Sequence, residues 1–166
     1  MYFFTADEHY GHAKVIQYCS RPFRDVSEMN HKIISNHNSV VTPQDITVHA
    51  GDFCWHKKTN VEKIISELNG SHIFIKGSHD SWMPSSTKYM WRKMIDKHFV
   101  VVCHYAMRTW ERAHHGSWQL YGHSHNMLPP IGFQWDIGVD GHNFYPYSFD
   151  EIVEIMSRRT RETGKC

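Results

Sequence analysis

Short apolar runs and longer amphipathic stretches alternate along the chain, and together they predict most of its regular structure. The apolar runs are rich in β-branched and aromatic residues, as buried strands are. They lie at residues 2–6, 46–50, 72–76, 99–103, 118–121 and 135–139. Between them, apolar side chains recur at helical spacing in residues 26–34, 61–68 and 150–159. The alternation predicts an α/β fold with a largely parallel central sheet, and the strand-rich last third favours a second, mixed sheet.

Composition narrows the class of protein further. A length of 166 residues favours a single domain over residues 1–166, because a second core would have too little chain to bury its apolar surface. The net charge of +1 gives no polybasic patch, so we expect no extensive nucleic-acid surface. The chain has no apolar run near the roughly 20 residues of a membrane span, no signal-peptide pattern and no Cys-x-x-Cys pair. We therefore expect a cytoplasmic protein that contacts no membrane.

Histidine is in excess, at 15 of 166 residues, and its placement is informative. Acidic and imidazole side chains follow directly after five of the predicted strands. They are Asp7, Glu8, His9, Asp52, His79, Asp80, His104, His123 and His125. Polar groups at the carboxyl ends of neighbouring strands gather at one edge of a sheet, where charge repulsion and desolvation would make an uncompensated set costly. Divalent cations offset that cost, and oxygen and nitrogen donors without thiolate favour Mn, Fe, Co, Ni or Zn.

The same residues, in the same order, resemble the motifs of the calcineurin-like metallophosphoesterase family, and the closer likeness is to its small bacterial and phage-type members. The motifs are Asp7-x-His9, Gly51-Asp52, Gly77-x-His79-Asp80, the strand-terminal His104 and Gly122-His123-x-His125. The resemblance covers nearly the whole chain. It implies an α/β (α+β) fold built on a central β-sandwich of mixed sheets flanked by helices, with a two-metal site at the strand ends.

The resemblance also implies a role for each of these residues. Asp7, His9 and His125 would bind the first ion. His104 and His123 would bind the second ion, and Asp52 would bridge the two. His79 would assist the leaving oxygen or stabilise the transition state, and Asp80 would orient the His79 imidazole. The cofactors would be two divalent ions, with Mn²⁺ favoured and Fe, Co, Ni, Zn or Mg as alternatives. Together they would activate a bridging hydroxide for attack on phosphorus.

Ser78 departs from the family pattern, which has an asparagine whose carbonyl binds the second metal. A serine hydroxyl is shorter and a weaker neutral donor, so we predict one tightly bound ion and one weakly bound ion. Two nearby residues have two open readings each. His12 either faces the substrate phosphate or begins a helix, and Arg21 either binds that phosphate or forms a structural ion pair.

The function implied by the resemblance is metal-dependent phosphoester hydrolysis. We expect a phosphodiesterase that acts on nucleotides or other small phosphodiesters, with a phosphomonoesterase as the near alternative. The second hypothesis is a weakly active or inactive metal-binding scaffold. Ser78 favours the scaffold, whereas the intact His79–Asp80 pair favours the enzyme.

Overall fold

A computed structural model describes residues 1–55 and 58–159, and for residues 58 and 59 it describes the backbone alone. Eight strands are found within these residues. They are β1 (Tyr2–Thr5), β2 (Ile46–His49), β3 (Ser71–Phe74), β4 (Met90–Ile95), β5 (His98–Cys103), β6 (Trp118–Tyr121), β7 (Gln134–Asp136) and β8 (Tyr147–Ser148). They form two four-stranded sheets, with the strand orders β3-β2-β1-β8 and β4-β5-β6-β7. Both sheets are mixed, because β8 and β4 are antiparallel to otherwise parallel neighbours.

Four α-helices accompany the sheets in the described part of the chain. They are α1 (Ala13–Tyr18), α2 (Val26–Val40), α3 (Lys58–Glu67) and α4 (Phe149–Ser157). The side chain of Asp25 caps α2 by accepting the backbone N–H of Glu28, and Ser148 and Glu151 form a reciprocal capping box at α4. No helix among these is long and apolar enough to cross a bilayer.

Two apolar clusters hold the layers together. The first contains Phe4 and Val48 from one sheet and Val100 and Leu120 from the other, so the two sheets face each other across a shared core. Each such fully buried side chain contributes about 1.5–3 kcal/mol. The second cluster joins α1, α2 and α3 to residues that follow β1 and β2. The predicted fold class, a sandwich of mixed sheets flanked by helices, is confirmed.

The differences from the sequence-based elements have physical causes. Helix α1 is six residues long and has no side-chain cap, so it carries little periodic signal. Strand β4 lies at a sheet edge with Arg92 and Lys93 exposed. Its sequence therefore lacks the apolar run that predicts most of the other strands. The last predicted strand, 135–139, is β7, and it ends at Asp136 before a 3₁₀ turn at Val139–Gly141.

The two sheets approach each other at the carboxyl ends of their parallel strands. There Ala6, directly after β1, pairs with Gly138, two residues beyond β7, in an isolated parallel bridge. The segments that follow β1, β2 and β3 in one sheet and β5 and β6 in the other therefore meet at one end of the sandwich. These segments carry the acidic and imidazole residues singled out above.

Candidate metal centre

Six of the predicted ligands form two groups, within each of which the donor atoms lie within 4.8 Å of one another. The first donor group consists of Asp7, His9 and His125, and the second consists of Asp52, His104 and His123. Asp52 lies between them, because its Oδ2 atom is 3.4 Å from Nε2 of His104 and 3.8 Å from Nε2 of His9. The arrangement matches one carboxylate placed between two neighbouring cation sites.

The backbone at these residues is strained. Five of the six donors have a left-handed φ, an uncommon conformation for a residue other than glycine, although Asp and His adopt it more readily than most. They are Asp7, His9, Asp52, His123 and His125. All five lie within four residues of the end of β1, β2 or β6, so the left-handed residues fall in the segments that meet at the end of the sandwich. Gly77 and Gly122 allow the close approach, because an added Cβ would meet carboxylate oxygens of Asp52 and Asp7 at 2.3 and 2.6 Å.

The ring nitrogens show that these residues fit a divalent cation. Both nitrogens of His9 and Nε2 of His104 are buried and have no hydrogen-bond partner among the described residues. The other nitrogen of His104, Nδ1, lies 2.9 Å from the carbonyl oxygen of Ala50, and Nδ1 of His125 lies 2.7 Å from Asp140. Such contacts fix the tautomer and leave Nε2 free to coordinate a metal.

The protonation states also suit metal binding. Burial lowers the pKa of His9 to about 3, so its imidazole is neutral near pH 7, the form that coordinates a cation. Burial, together with the nearby Asp136 and Asp52 carboxylates, raises the pKa of Asp7 well above its usual value. Burial opposes ionisation of Asp52 too, but His104 and the N–H of His79 hold the Asp52 pKa below its usual value. Asp52 thus carries a negative charge that a cation would neutralise, and a bound cation would also offset the cost of ionising Asp7.

Ser78 lies beside the second donor group. Its hydroxyl donates to the Asp52 carboxylate, with its Oγ 3.0 Å from Oδ2 and 3.3 Å from Oδ1. The side chain is therefore placed against the central carboxylate at the position where the family motif has asparagine. Ser78 therefore donates a hydrogen bond to Asp52, which is itself a predicted metal ligand.

His79 lies at the open side of the centre. Its side chain is 41% exposed, its Nε2 is 3.8 Å from Oδ2 of Asp52, and its backbone N–H donates to Asp52 at 2.8 Å. The imidazole is thus both accessible to solvent and adjacent to the central carboxylate. This is the position that a group acting on a leaving oxygen needs.

Among the described residues, Asp80 makes no hydrogen bond to the His79 ring that it is expected to orient. Its carboxylate accepts the backbone N–H groups of Asp52, Phe53 and Gly77 and the indole N–H of Trp82, at 2.7 to 3.1 Å. Its hydrogen bonds are thus made to these four groups and leave out the His79 ring. Burial raises the Asp80 pKa. Asp80 ties the segment after β3 to the segment after β2, so it positions the backbone that carries Asp52.

For Arg21, the structure supports the ion pair and corrects the expectation of a phosphate contact. The guanidinium makes a two-point pair with Asp140 at 2.7 and 2.8 Å and donates to the carbonyl oxygens of Asp7 and Glu8. Its side chain is 0% exposed, which leaves it no access to substrate. Asp140 in turn contacts His125, so Arg21 and Asp140 support the first donor group from behind. Cys19 lies close to His125 and Asp140 as well.

His12 lies at the start of a helix, as one of its two readings has it, and its contact with a substrate phosphate stays a prediction. It directly precedes α1, and its ring lies 5.3 Å from that of His9 and is stacked on Trp55 at 4.3 Å. His49, by contrast, is a buried core histidine whose nitrogens face Glu8 at 2.6 Å and His72 at 3.0 Å.

Two carboxylates near the centre had no role assigned from the sequence. Asp140 supports His125, and the buried Asp136 accepts the hydroxyl of Ser124 and the N–H of Asn126, which fixes the loop that carries His125. Asp136 ends β7 but lies inside the predicted strand 135–139, so the strand-end rule that found the other donors could not find it. Asp140 lies in the 3₁₀ turn Val139–Gly141, directly after that predicted strand, so the same rule would have found it.

Comparison with known proteins gives one relative in sequence and several in structure. The chain is 30% identical over 165 residues to the uncharacterized protein MJ1445 of Methanocaldococcus jannaschii, covering 94% of this chain and 91% of that protein. The protein of unknown function AQ665 from Aquifex aeolicus superposes with a TM-score of 0.73 at 20% identity, over 93% of this chain and 98% of the other, and shares its fold. A predicted phosphoesterase of Streptococcus pneumoniae is more remote, with a TM-score of 0.49 and 11% identity over 82% and 70% of the two chains. No protein-family model matches the chain.

Proposed function

This chain belongs to one family with the archaeal protein MJ1445, and we propose that it is a metal-dependent phosphoester hydrolase. One observation carries the proposal. Two three-residue groups of carboxylate and imidazole donors meet around Asp52 at the strand ends, with an exposed imidazole, His79, beside them. A pair of adjacent cation sites next to an acid–base group is the arrangement that hydrolysis of phosphate esters uses.

The roles of the residues follow from their positions. Asp7, His9 and His125 would hold one ion, His104 and His123 the other, and Asp52 would bind both. When bound, two divalent ions supply Lewis acidity that lowers the pKa of water and neutralises charge on phosphate oxygens. We favour Mn²⁺, because the donors are oxygen and nitrogen atoms without thiolate.

The imidazole of His79 would meet the leaving oxygen and supply its proton. Its exposure leaves room for substrate, and its backbone N–H bond to Asp52 fixes it relative to the central carboxylate. Asp80 keeps this geometry by holding the backbone at Asp52 and Gly77.

Phosphodiesters are the substrate class that we propose, with small compounds such as nucleotides preferred over polymers. With a net charge of +1, the chain has no polybasic patch for a long nucleic acid. A phosphomonoesterase is the near alternative, and both reactions would use the same ligands and His79.

A second candidate function is a metal-binding scaffold with little or no activity. It is favoured by Ser78, whose hydroxyl bonds to Asp52 at the position of a metal-binding asparagine. A scaffold would need the two donor groups but would have no use for an exposed His79.

Hydrolysis of bis-p-nitrophenyl phosphate and p-nitrophenyl phosphate tests the proposal. The protein is stripped with a chelator, reloaded with Mn²⁺ and assayed alongside Ser78→Asn. We expect turnover that needs Mn²⁺ and that is faster with the diester. Metal binding without turnover of either compound in either form would support the scaffold instead.

A further inference from the structure

Trp55 occupies a fixed place at the rim of the metal centre. It follows the isolated bridge between Tyr10 and Cys54, and its own backbone N–H donates to the carbonyl oxygen of Tyr10 at 2.9 Å. This pairing anchors the Trp55 backbone to the segment that carries His9. The side chain is nevertheless 50% exposed, although tryptophan is on average a strongly buried residue.

Among the described residues, the indole ring is stacked on one other ring. It is stacked on the ring of His12 with the centroids 4.3 Å apart and the planes 10° apart. His79 lies 4.8 Å from it at 51°, and the rings of His12 and His79 are 6.1 Å apart. From these three distances, the directions from the Trp55 centroid to the His12 and His79 centroids are nearly perpendicular. His79 therefore lies towards the edge of the indole ring. Among the described residues, no ring is stacked on the face opposite His12.

The half-exposed indole lies one imidazole away from the centre. The ring of His79 touches Trp55, and its Nε2 is 3.8 Å from Oδ2 of Asp52. A molecule whose phosphate lay at the two donor groups would therefore extend past His79 onto the indole.

We propose that Trp55 is a specificity-determining residue, which stacks against a flat aromatic group of the substrate, as a nucleobase is. This inference rests on the proposed function and narrows its substrate class to phosphoesters that carry such a group. The indole is held in place beforehand by the Tyr10 bond and the His12 stack, so binding orders few groups. Base–aromatic stacking needs only a π face and works with any base.

Tyr105 provides a rival surface and therefore a matched control. It is 44% exposed and lies against the rings of His104 and His123, which belong to the second donor group. Trp55 lies beside His12 and His79, and both of these rings neighbour His9 of the first group. The two aromatic residues thus border different donor groups.

Calorimetric titration of the Mn²⁺-loaded protein with adenosine 5′-monophosphate and with ribose 5-phosphate tests the inference. The two ligands share the sugar and the phosphate and differ in the base, and both are checked to be intact afterwards. We expect the nucleotide to bind about five- to a hundredfold more tightly, as loss of one stacked base implies. Trp55→Ala should abolish this preference, whereas Trp55→Phe should keep most of it and Tyr105→Ala all of it.

Equal binding of the two ligands by the unmodified protein would overturn the inference, as would a preference that survives in Trp55→Ala. Mn²⁺ titration of each variant shows that folding and metal loading are intact. The proposed hydrolysis is judged separately: turnover of bis-p-nitrophenyl phosphate without a Trp55-dependent preference would overturn this inference alone. A Trp55-dependent preference without turnover of any ester would overturn the hydrolase and leave a nucleotide-binding metal site.

Discussion

The two donor groups have the same number of ligands but unequal support. In the first group, His125 faces the carboxylate of Asp140 at 2.7 Å, and the buried guanidinium of Arg21 fixes Asp140 by two bonds. In the second group, the corresponding contact of His104 is to a neutral carbonyl oxygen, that of Ala50. His123 in the second group is exposed, whereas each member of the first group is buried or half-buried.

From this difference we expect two candidate cation sites of different strength, although both arise from the same strand-end pattern. A carboxylate partner raises the basicity of an imidazole ligand more than a carbonyl does, and a buried charge pair holds that partner in place. Ser78 adds to the inequality, because it bonds to Asp52 at 3.0 Å in place of a longer amide. We therefore expect the first donor group to bind its ion more tightly than the second.

Loss of the carboxylate between the groups should have the largest effect. Asp52→Asn removes the charge that both sites face, and we expect the Mn²⁺-dependent rate to fall by about 10²–10³-fold, as loss of one key electrostatic group typically does. Hydrolysis of bis-p-nitrophenyl phosphate measures it. Asp96→Asn, in the turn between β4 and β5, is the matched control and should keep the full rate. A rate near that of the unmodified protein in Asp52→Asn would refute the central position of this carboxylate.

Removal of the charged support should affect one ion selectively. Asp140→Asn weakens the contact with His125 and the pair with Arg21, so the tighter ion should bind about 10–100-fold more weakly. Calorimetric titration with Mn²⁺ resolves the two affinities. Asp150→Asn, an exposed change in the first turn of α4, should alter neither. If Asp140→Asn weakens the looser ion instead, the assignment of strong and weak groups is reversed.

A longer donor at residue 78 should reduce the inequality. Ser78→Asn provides an amide oxygen with greater reach, and we expect the looser ion to bind roughly tenfold more tightly, a gain of about 1.4 kcal/mol. Turnover should rise in parallel. Ser78→Ala serves as the control, because it removes the bond to Asp52 without adding a donor. An unchanged second affinity in Ser78→Asn would show that this residue does not limit the site.

Much of the metal centre can be predicted from the sequence, because most of the donor residues lie close in sequence to the end of a strand. Asp7 and Asp52 follow β1 and β2 directly, so recognising a strand is enough to place a carboxylate at the edge of the sheet. The two sheets and their shared core follow from alternating apolar runs. By the same reasoning, short elements with little periodicity, such as α1 and β8, escape prediction.

The supporting contacts could not be predicted, because they join distant parts of the chain. Arg21 and Asp140 are 119 residues apart, and their pairing depends on how the chain crosses between the sheets. Asp80 follows His79 directly, so the sequence suggests that the two side chains interact. The turn instead directs the Asp80 carboxylate at backbone N–H groups after β2. Adjacency in the sequence does not determine direction in space.

A second cluster of imidazoles can be compared with the two donor groups. It tests whether burial alone identifies a histidine as a metal ligand. His49 and His72 lie on the first sheet and His37 on α2. His37 faces the Asn69 carbonyl, and His49 faces Glu8 and Nδ1 of His72, whereas Nε2 of His72 has no hydrogen-bond partner among the described residues. Burial lowers the pKa of His37 and of His72 to about 4, against about 6.5 in an unfolded chain. The unfolded state therefore binds more protons below pH 6.5, and stability that is present above this pH is lost as the pH falls towards 4.

His37→Gln should keep a donor to the Asn69 carbonyl but remove one of these protonation sites. We expect unchanged Mn²⁺ affinities and a smaller drop in melting temperature between pH 7 and pH 5, by about 2–4 °C for each kcal/mol of linkage removed. Thermal unfolding in the presence of a chelator measures this without interference from metal release. His31→Gln, at an exposed position of the same helix, should behave like the unmodified protein. Weaker Mn²⁺ binding in His37→Gln would show that this cluster takes part in the metal centre.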